Sequence, residues 1–389
     1  MAKWSNWSGR HRCEAGLRFL RSEEDAAALA AEAAATGRTL RVAGAGHSHA
    51  PLVPNGDLIA DVSGLSGVVT ADAATKRAWI RAGTPIHALG PALRDAGLAL
   101  HNQGDIDRQT LAGAVATGTH GTGHELSNLS AAVTGARVAL ASGELVDCGP
   151  DRHPELWQAA RLSLGALGIV TRLELQLREA YRLAERSERL PFTELAASIE
   201  ARSAAGRHFE FFWRPIEDVA FVKRIDETDR EPEYPLAREG ARVAWSYEVL
   251  PSHRDWRHTE LEYSLPAAAG PAAMAEIRSL LRSDFPDMPW PVEYRTLAQD
   301  DVWLSTAYRR PTVTISLHQA VEEDEAPMFR AAERILLDHG GRPHWGKVSY
   351  VEADRLAAMY ERWDDWWRVR DEHDPGDTFL NDHLRSIRG

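Results

Sequence analysis

The feature that most constrains this 389-residue chain is a run of thirteen positions, Leu111 to Gly123, in which small and hydroxyl-bearing residues dominate. The run reads LAGAVATGTHGTG. Because its side chains have little bulk, the backbone can lie flat against a large planar surface, with Thr117, Thr119 and Thr122 available for hydrogen bonds. A tight glycine loop packed on the core would have the same composition. Taken alone, the segment leaves both interpretations open.

A second glycine-containing segment, RVAGAGHSHAPLV from Arg41 to Val53, begins like a strand and then turns. A dinucleotide fingerprint requires G-x-G-x-x-G at the start of a helix. Here the third glycine is missing and two prolines follow, so neither a helix nor a Rossmann pyrophosphate site is expected. Consecutive backbone N–H groups in such a turn can still form an anion-binding nest.

Composition argues against several classes of protein. The formal net charge of −12 argues against nucleic acid and anionic membranes as partners, since both need a basic surface. Cys13 and Cys148 are the only cysteines, which supports neither a disulfide framework nor a cysteine metal site. No apolar run is long enough to span a bilayer, and we expect a cytoplasmic protein.

Hydrophobic periodicity predicts an α+β chain whose character changes near residue 182. Short strands and helices interleave in the first half, including a helix capped by Ser22 and a hairpin with Ser142 and Gly143 at its tip. After residue 182 the pattern predicts antiparallel strands covered by helices on one face. A helix is expected over 193–205, and HFEFFWRP, RVAWSYEVL, VEYRTL and TVTISLHQA are expected to be strands.

Motifs spread over nearly the whole chain resemble the FAD-linked aldonolactone and alditol oxidases of the vanillyl-alcohol-oxidase superfamily. The motifs, in order, are NWSG, GAGHS, GDIDRQTLAGAVATGTHGTG, SLGALGIVT, EYRT, HWGK and FLN. The resemblance implies a two-subdomain FAD-binding domain over 1–181 and a substrate or cap domain with an antiparallel sheet over 182–345. It also implies a C-terminal segment, 346–389, that returns to the FAD domain.

The resemblance also implies which residues contact FAD. His47, after the glycine turn, would bond covalently to the flavin C8 methyl; the alternative is a histidine that contacts phosphate without a covalent link. The implied cofactor contacts are Gly44, Ala45, Gly46, His47, Ser48, Gly104, Asp105, Thr110, Gly113, Ala114, Thr117, Gly118, Thr119, Gly121, Ile169 and Lys347.

Two neighbouring residues bear on the electron acceptor and the substrate. Gly104 matches the family position beside the flavin C4a–N5 edge, where glycine leaves room for oxygen, so the resemblance favours an oxidase that forms hydrogen peroxide. Asp105 departs from the serine of alditol oxidases and follows the lactone-oxidase form GDID.

The expected catalytic residues are Glu293, Arg295, Lys347 and His318. Glu293 and Arg295 lie two apart on a predicted strand and so share a face, and Thr314, Ser316 and His318 alternate in the same way on the next strand. By resemblance, Glu293, Arg295 and Lys347 line the substrate pocket. Without the resemblance, Glu293 and Arg295 would equally suit an exposed ion pair. His318 is a candidate general base or a buried structural histidine.

The predicted function is oxidation of an aldonolactone or alditol by FAD, with molecular oxygen as the acceptor. The alternatives are a dehydrogenase of a sugar, lactone or nucleoside with another acceptor, and a flavin-storing protein with a dead site. A metal site is not expected. His120 and His124 have helical zinc spacing, but Gly121 and Gly123 beside them disfavour a helix.

Overall fold

The computed structural model describes residues 2–252 and 256–389, which form three large sheets and a two-stranded ribbon. The first sheet has a parallel centre and one antiparallel edge. Its strands, in spatial order, are Ala2–Ser5, Arg12–Phe19, Leu58–Asp61 and Leu40–Ala43. The second sheet is antiparallel and contains Val68–Asp72, Arg77–Arg81, Ile169–Gln176, Val133–Ala139 and Leu145–Cys148. The ribbon pairs Arg178–Glu179 with Leu98–Ala99.

The third sheet, called the large sheet below, is antiparallel throughout. Its eight strands, in spatial order, are Val243–Trp245, Arg182–Pro191, Val219–Glu227, His208–Arg214, Val292–Leu297, Thr312–Ala320, His258–Pro266 and Arg342–Pro343.

Helices cover the sheets and close the chain. The α-helices are Glu23–Ala35, Ile86–Asp95, Leu111–Ala116, Pro154–Ala160, Phe192–Ala196, Ile199–Ala204, Ser246–Val249, Gly270–Asp284, Ala326–Asp338, Ala353–Met359, Trp363–His373 and Asp382–Arg388, with 3₁₀ turns at Leu129–Ala132 and Ala267–Ala269. The predicted cap of the first helix is confirmed, because Ser22 Oγ accepts a hydrogen bond from the Asp25 N–H at 3.1 Å. No helix within the described residues is long and apolar enough to cross a bilayer.

Strand periodicity divides the large sheet into an apolar face and a charged face. Phe211, Tyr294 and Ile315 pack with helix residues such as Ile277 and Phe329 in one apolar core. The residues between them along each strand point to the opposite face, because successive strand side chains alternate. The predicted arrangement of antiparallel strands covered by helices on one face is therefore confirmed.

The C-terminal segment completes the core of the first half of the chain. Trp366 and Leu380 belong to the same buried cluster as Leu173 and Leu175 of the second sheet. Val302 and Leu304, from the connection between two strands of the large sheet, reach into that cluster as well. The division of the chain at residues 181 and 345 stays a prediction.

Two predicted elements are wrong in detail. The helix expected over 193–205 is split into Phe192–Ala196 and Ile199–Ala204, because Ser198 Oγ donates back to the Leu195 carbonyl at 3.1 Å and ends the first helix. Only Val243–Trp245 of RVAWSYEVL is a strand. The chain then turns into Ser246–Val249, since Glu248 Oε2 accepts a hydrogen bond from the Trp245 N–H at 3.3 Å.

Candidate active site

A cavity of about 720 Å³ brings both glycine-rich segments to the charged face of the large sheet. The sequence-predicted residues that line it are Gly44, Ala45, Gly46, His47, Ser48, Gly104, Asp105, Thr110, Gly113, Ala114, Thr117, Thr119, Glu293, Arg295, His318 and Lys347. Residues from distant parts of the chain therefore meet around one space.

Three predicted cofactor contacts are not among the lining residues. The Ile169 side chain is fully buried in an apolar core, and its neighbours Gly168 and Val170 line the cavity instead. A Cβ on Gly121 would lie 2.2 Å from the Gln103 carbonyl oxygen. Glycine at this position therefore allows the two backbone segments to pack closely against each other. Gly118 lies in a turn and has φ +74°, a left-handed conformation that glycine adopts readily.

The glycine turn is held from outside by the NWSG segment. The Trp7 N–H donates to the Gly46 carbonyl at 2.7 Å, and Asn6 Nδ2 donates to the Ser48 carbonyl at 3.0 Å. Gly46 has φ +68°, and a Cβ on Gly44 would lie 2.1 Å from Thr110 Oγ1. Only glycine fits at position 44 without moving Thr110, and this close approach brings the turn against the start of the small-residue run Leu111–Gly123.

His47 projects a neutral imidazole at the cavity. Its ring stacks on Trp7, with centroids 5.6 Å apart and planes 16° apart. Burial, with a smaller contribution from the Lys347 charge, lowers the pKa of His47 to about 4 against an opposing interaction with the Ala45 backbone, so the ring is uncharged at neutral pH. Among the residues that the structure describes, none forms a hydrogen bond of good geometry with the buried Nδ1.

The residues present fit FAD. Gln109 and Thr110 line the cavity, and their Oε1 and Oγ1 atoms, like His47 Nδ1, are buried without a hydrogen-bond partner in the described part of the chain. Buried polar atoms without partners are rare in proteins and suggest a ligand that supplies the missing hydrogen bonds. A pyrophosphate and an isoalloxazine ring carry donors and acceptors of the required kind.

Arg41, which the sequence analysis did not single out as a site residue, also lines the cavity. It is fully buried and donates to the carbonyls of Leu52 at 2.7 Å, Gly165 at 2.7 Å and Leu164 at 2.6 Å, and also to that of Phe379. Burial lowers its pKa to about 9, which leaves it charged at neutral pH. Across residues 2–252 and 256–389 no carboxylate forms an ion pair with Arg41, so an anion in the cavity would meet an uncompensated positive charge.

The strands that carry Glu293, Arg295 and His318 pair directly, on the charged face of the large sheet. Glu293 lies opposite Ser316, and Arg295 lies opposite Thr314. Both Glu293 and Arg295 are buried, at 4% and 8% exposure, which rules out the exposed ion pair that the residue pattern alone had left open.

Arg295 is surrounded by carboxylates. Its Nη2 lies 2.5 Å from Glu293 Oε1 and 3.0 Å from Asp105 Oδ2, and its Nε lies 3.0 Å from Glu210 Oε2. Burial opposes the charge, but these three carboxylates raise the pKa of Arg295 well above its ordinary value. Lys223, which does not line the cavity, adds a second cation to this cluster, with its Nζ 2.5 Å from Glu210 Oε1.

Lys347 pairs with Glu260, a residue that the sequence analysis missed. Glu260 also lies near three imidazoles: His49 Nε2 at 3.7 Å, His258 Nε2 at 3.8 Å and His318 Nε2 at 3.7 Å. Burial alone would raise the pKa of Glu260, but the Lys347 charge and the imidazoles hold it well below its usual range.

The tautomer of His318 follows from its hydrogen bond. Its Nδ1 lies 2.9 Å from the Pro291 carbonyl oxygen, which can only accept, so Nδ1 carries the proton. Nε2 therefore has a free lone pair on the side of Glu260. Burial lowers the pKa of His318 to about 4, although the Glu260 charge opposes this shift.

His120 and Glu262 form a second buried pair that the sequence analysis did not predict. His120 Nε2 lies 2.7 Å from Glu262 Oε1, its Nδ1 donates to the Gly121 carbonyl at 2.8 Å, and Ser316 Oγ donates to Glu262 Oε2 at 3.1 Å. Donor atoms of His120, Glu262 and His344 lie within 4.8 Å of one another. The expectation that the site binds no metal stays a prediction.

The sequence around Glu260 and Glu262 contains a pattern that could have identified them as strand residues facing the site. HTELEYSLP alternates polar and apolar residues with a period of two, as a half-buried strand does, and it forms the strand His258–Pro266. The pairing of Glu260 with His318 and of Glu262 with Ser316 required the register of the folded sheet.

Two family profiles match separate parts of the chain. A profile described as FAD binding domain matches residues 15–149, and one described as D-arabinono-1,4-lactone oxidase matches residues 236–387.

Similar proteins span almost the full chain. An L-gulono-1,4-lactone dehydrogenase of Mycobacterium tuberculosis is 33% identical, covering 99% of each chain. An alditol oxidase of a Streptomyces species is 31% identical, covering 88% of this chain and 89% of that one. The solved structure of cholesterol oxidase from B. sterolicum has a TM-score of 0.87 and 16% identity, covering 100% of this chain and 96% of that chain, and so shares the fold.

Proposed function

The chain belongs to the family of FAD-dependent aldonolactone and alditol oxidases, and on that premise we propose that it oxidises a CH–OH group of a small polyhydroxylated carbohydrate. The preferred substrate class is an aldonolactone or an alditol, and the acceptor is molecular oxygen, which yields hydrogen peroxide. The observation that carries the proposal is the meeting of the glycine turn and the buried Glu293–Arg295 pair in one cavity.

The glycine turn and the run after Thr110 would hold FAD, with Arg41 placed to offset the charge of its pyrophosphate. When bound, FAD supplies the acceptor for a hydride from the substrate carbon. His47 would be the point of covalent attachment. Its neutral ring supports this, since one nitrogen of a neutral imidazole carries the lone pair that a covalent bond requires.

Arg295 and Lys347 would stabilise negative charge as the substrate hydroxyl loses its proton. Both cations line the cavity and both are held by carboxylates, Arg295 by Glu293 and Lys347 by Glu260. Charged groups fixed in place before the reaction are effective because they need no reorganisation in the transition state. Glu293 would also accept a hydrogen bond from a substrate hydroxyl.

His318 would take the hydroxyl proton. Its Nε2 carries the lone pair, and the carboxylate of Glu260, 3.7 Å away, would stabilise the imidazolium that forms. General bases of this kind contribute roughly 10² to 10⁴ in rate.

Gly104 supports oxygen as the acceptor. A Cβ at this position would lie 3.1 Å from the His120 carbonyl oxygen and 3.5 Å from Thr119 Cγ2, so a larger residue would crowd the cavity wall where the resemblance places the flavin C4a–N5 edge. The second candidate is a dehydrogenase with another acceptor, which the name of the M. tuberculosis relative favours.

Steady-state turnover with a substrate panel tests this proposal. Alditols, aldonolactones, sugars and nucleosides are supplied with oxygen, and peroxide and oxygen uptake are measured. An oxidase forms one peroxide for each molecule oxidised. Turnover that requires an artificial dye and forms negligible peroxide would establish the dehydrogenase. No turnover under either condition would contradict both.

A further inference from the structure

A second cavity, of about 190 Å³, lies behind the proposed substrate site. Ala50, His344 and Lys347 line both cavities and so form the wall between them. Liquid water occupies about 30 Å³ per molecule, so this space accommodates several water molecules. Its other polar groups include His11, His383 and the ion pair of Arg10 with Glu325. The cavity is therefore roomy and polar enough to be hydrated.

His49 connects the two cavities. It lines the second cavity, while its Nε2 lies 3.7 Å from Glu260 Oε2, and Glu260 lines the first. The backbone on both sides of the ring is fixed, because the His49 N–H donates to the Gly346 carbonyl at 2.6 Å and the His49 carbonyl accepts from His11 Nε2 at 2.7 Å. The family resemblance assigned no role to this residue.

The ring of His49 has an unmet hydrogen-bonding requirement. Its side chain is 5% exposed, and Nδ1 is buried without a hydrogen-bond partner within residues 2–252 and 256–389. Buried polar atoms without a protein partner are commonly satisfied by ordered water, and the residue that carries this atom lines the second cavity. The charged and titratable groups that face this ring are Glu260, Lys347, His258 and His318.

Resting on the proposed oxidation, we propose that His318, Glu260 and His49 form a relay that carries the substrate hydroxyl proton into the second cavity. The substrate O–H bond breaks and its proton goes to His318 Nε2. The substrate C–H bond breaks as well, the carbon becomes a carbonyl, and the hydride, with both bonding electrons, goes to the acceptor that bound FAD would supply. The proton passes through Glu260 to His49 Nε2, and the proton on His49 Nδ1 leaves to water.

The geometry suits transfer more than storage of a proton. The two gaps of the relay, from His318 Nε2 to Glu260 Oε1 and from Glu260 Oε2 to His49 Nε2, are both 3.7 Å, so each transfer requires the carboxylate and the ring to approach to hydrogen-bond distance. Catalytic hydrogen bonds in ligand-free structures are commonly long and tighten when substrate binds. The Lys347 ammonium keeps Glu260 anionic between transfers.

Proton release during a single anaerobic reduction tests the relay. Holoenzyme is mixed with L-gulono-1,4-lactone or xylitol in weak buffer, with flavin absorbance and a pH-indicator dye followed together. In wild type the proton appears with flavin reduction. In His49→Gln, whose amide cannot carry a proton, we expect release roughly tenfold or more slower than reduction, with recovery on adding imidazole.

His258→Gln is the matched control. His258 lies 3.8 Å from the same Glu260 oxygen but does not line the second cavity, so its removal should leave proton release coincident with reduction. Simultaneous release and reduction in His49→Gln, or an equal lag in His258→Gln, would overturn the relay. Equal slowing of both events in His49→Gln without a response to imidazole would overturn it as well.

A crystal structure of the wild-type holoenzyme provides a test that needs neither substrate nor variant. We expect ordered water in the second cavity, including one molecule within hydrogen-bond distance of His49 Nδ1. A dry cavity would overturn the relay even if the enzyme oxidises carbohydrates. If the cavity is hydrated but neither compound reduces the wild-type flavin, the result contradicts the choice of substrate and the proposed function, and not the hydration that the relay requires.

Discussion

His318 and Glu260 occupy directly paired positions on neighbouring strands, and His318 Nε2 lies 3.7 Å from Glu260 Oε1. Because burial lowers the pKa of His318 to about 4, the imidazole is neutral and competent as a base above that pH. Protonation removes the lone pair, so the contribution of His318 to rate is lost as pH falls through about 4. We expect the acidic limb of kcat/KM near pH 4, well below the ordinary histidine value.

Replacing His318 should also change the choice of substrate. His318→Thr removes the bulky ring, which should lengthen the pocket and raise kcat/KM for xylitol relative to a sugar lactone, with an overall rate loss of roughly 10² or more. Kinetics with both substrates, across pH 3.5 to 8, check this. If the acidic limb and the substrate ratio are both unchanged, His318 lies outside the chemistry and is a structural histidine.

We expect covalent flavin in the purified protein. His47 presents a neutral ring to the cavity. Acid-precipitated wild-type protein should stay yellow, and His47→Ala should release its FAD into the supernatant on the same treatment. A colourless wild-type pellet would show that His47 contacts the cofactor without bonding to it.

Gly104→Ala should slow reoxidation by oxygen and leave flavin reduction nearly unchanged. The new methyl group would lie 3.1 Å from the His120 carbonyl oxygen, a distance that a shift of a few tenths of an ångström relieves. Stopped-flow measurement separates the two half-reactions. Gly44→Ala is the contrast, because its Cβ would lie 2.1 Å from Thr110 Oγ1, and we expect it to weaken FAD binding. If the rate of flavin reoxidation by oxygen is unchanged in Gly104→Ala, Gly104 does not control the access of oxygen.

Arg295→Met should lower kcat by roughly a hundredfold or more and should also lower the free energy of unfolding. Removing the guanidinium leaves Glu210, Glu293 and Asp105 without their shared partner, and breaking buried ion pairs typically costs about 3–5 kcal/mol. Lys223→Met removes a cation from the same cluster, but Lys223 does not line the cavity.

The comparison of the two variants separates stability from catalysis. Thermal unfolding and kcat are measured for both, and Lys223→Met should lose stability while keeping most of its turnover. Near-normal turnover in Arg295→Met would place Arg295 outside the substrate pocket. Loss of turnover in both variants to the same extent would mean that the cluster acts only through the fold.

The parts of the site that sequence predicted depend on local pattern. Glu293 and Arg295 share a face because they are two apart on one strand, and the glycine turn follows from the order of residues within it. Gly121 and Ile169 were assigned by resemblance to the cofactor. In the structure they face the core or a neighbouring backbone, since a motif does not specify which of its residues face inward.

The parts that sequence missed depend on contacts between distant segments. Arg41 binds carbonyls more than 120 and 330 residues away, and its burial could not be inferred from a charged residue in a strand. Glu260 gains its role from the register with His318, and Asp105 contacts Arg295 across 190 positions. Such relationships depend on tertiary packing, which periodicity within one segment does not encode.

Anaerobic flavin bleaching tests the central claim most directly, because it reports electron transfer from a carbohydrate to the bound cofactor without any acceptor. Wild-type holoenzyme is mixed under argon with xylitol, L-gulono-1,4-lactone, glucose and a nucleoside in separate experiments, and the flavin absorbance is followed. We predict that an alditol or a lactone bleaches the flavin fully and that admitted oxygen restores the colour with formation of peroxide. A flavin that stays oxidised with every compound would contradict the proposed function.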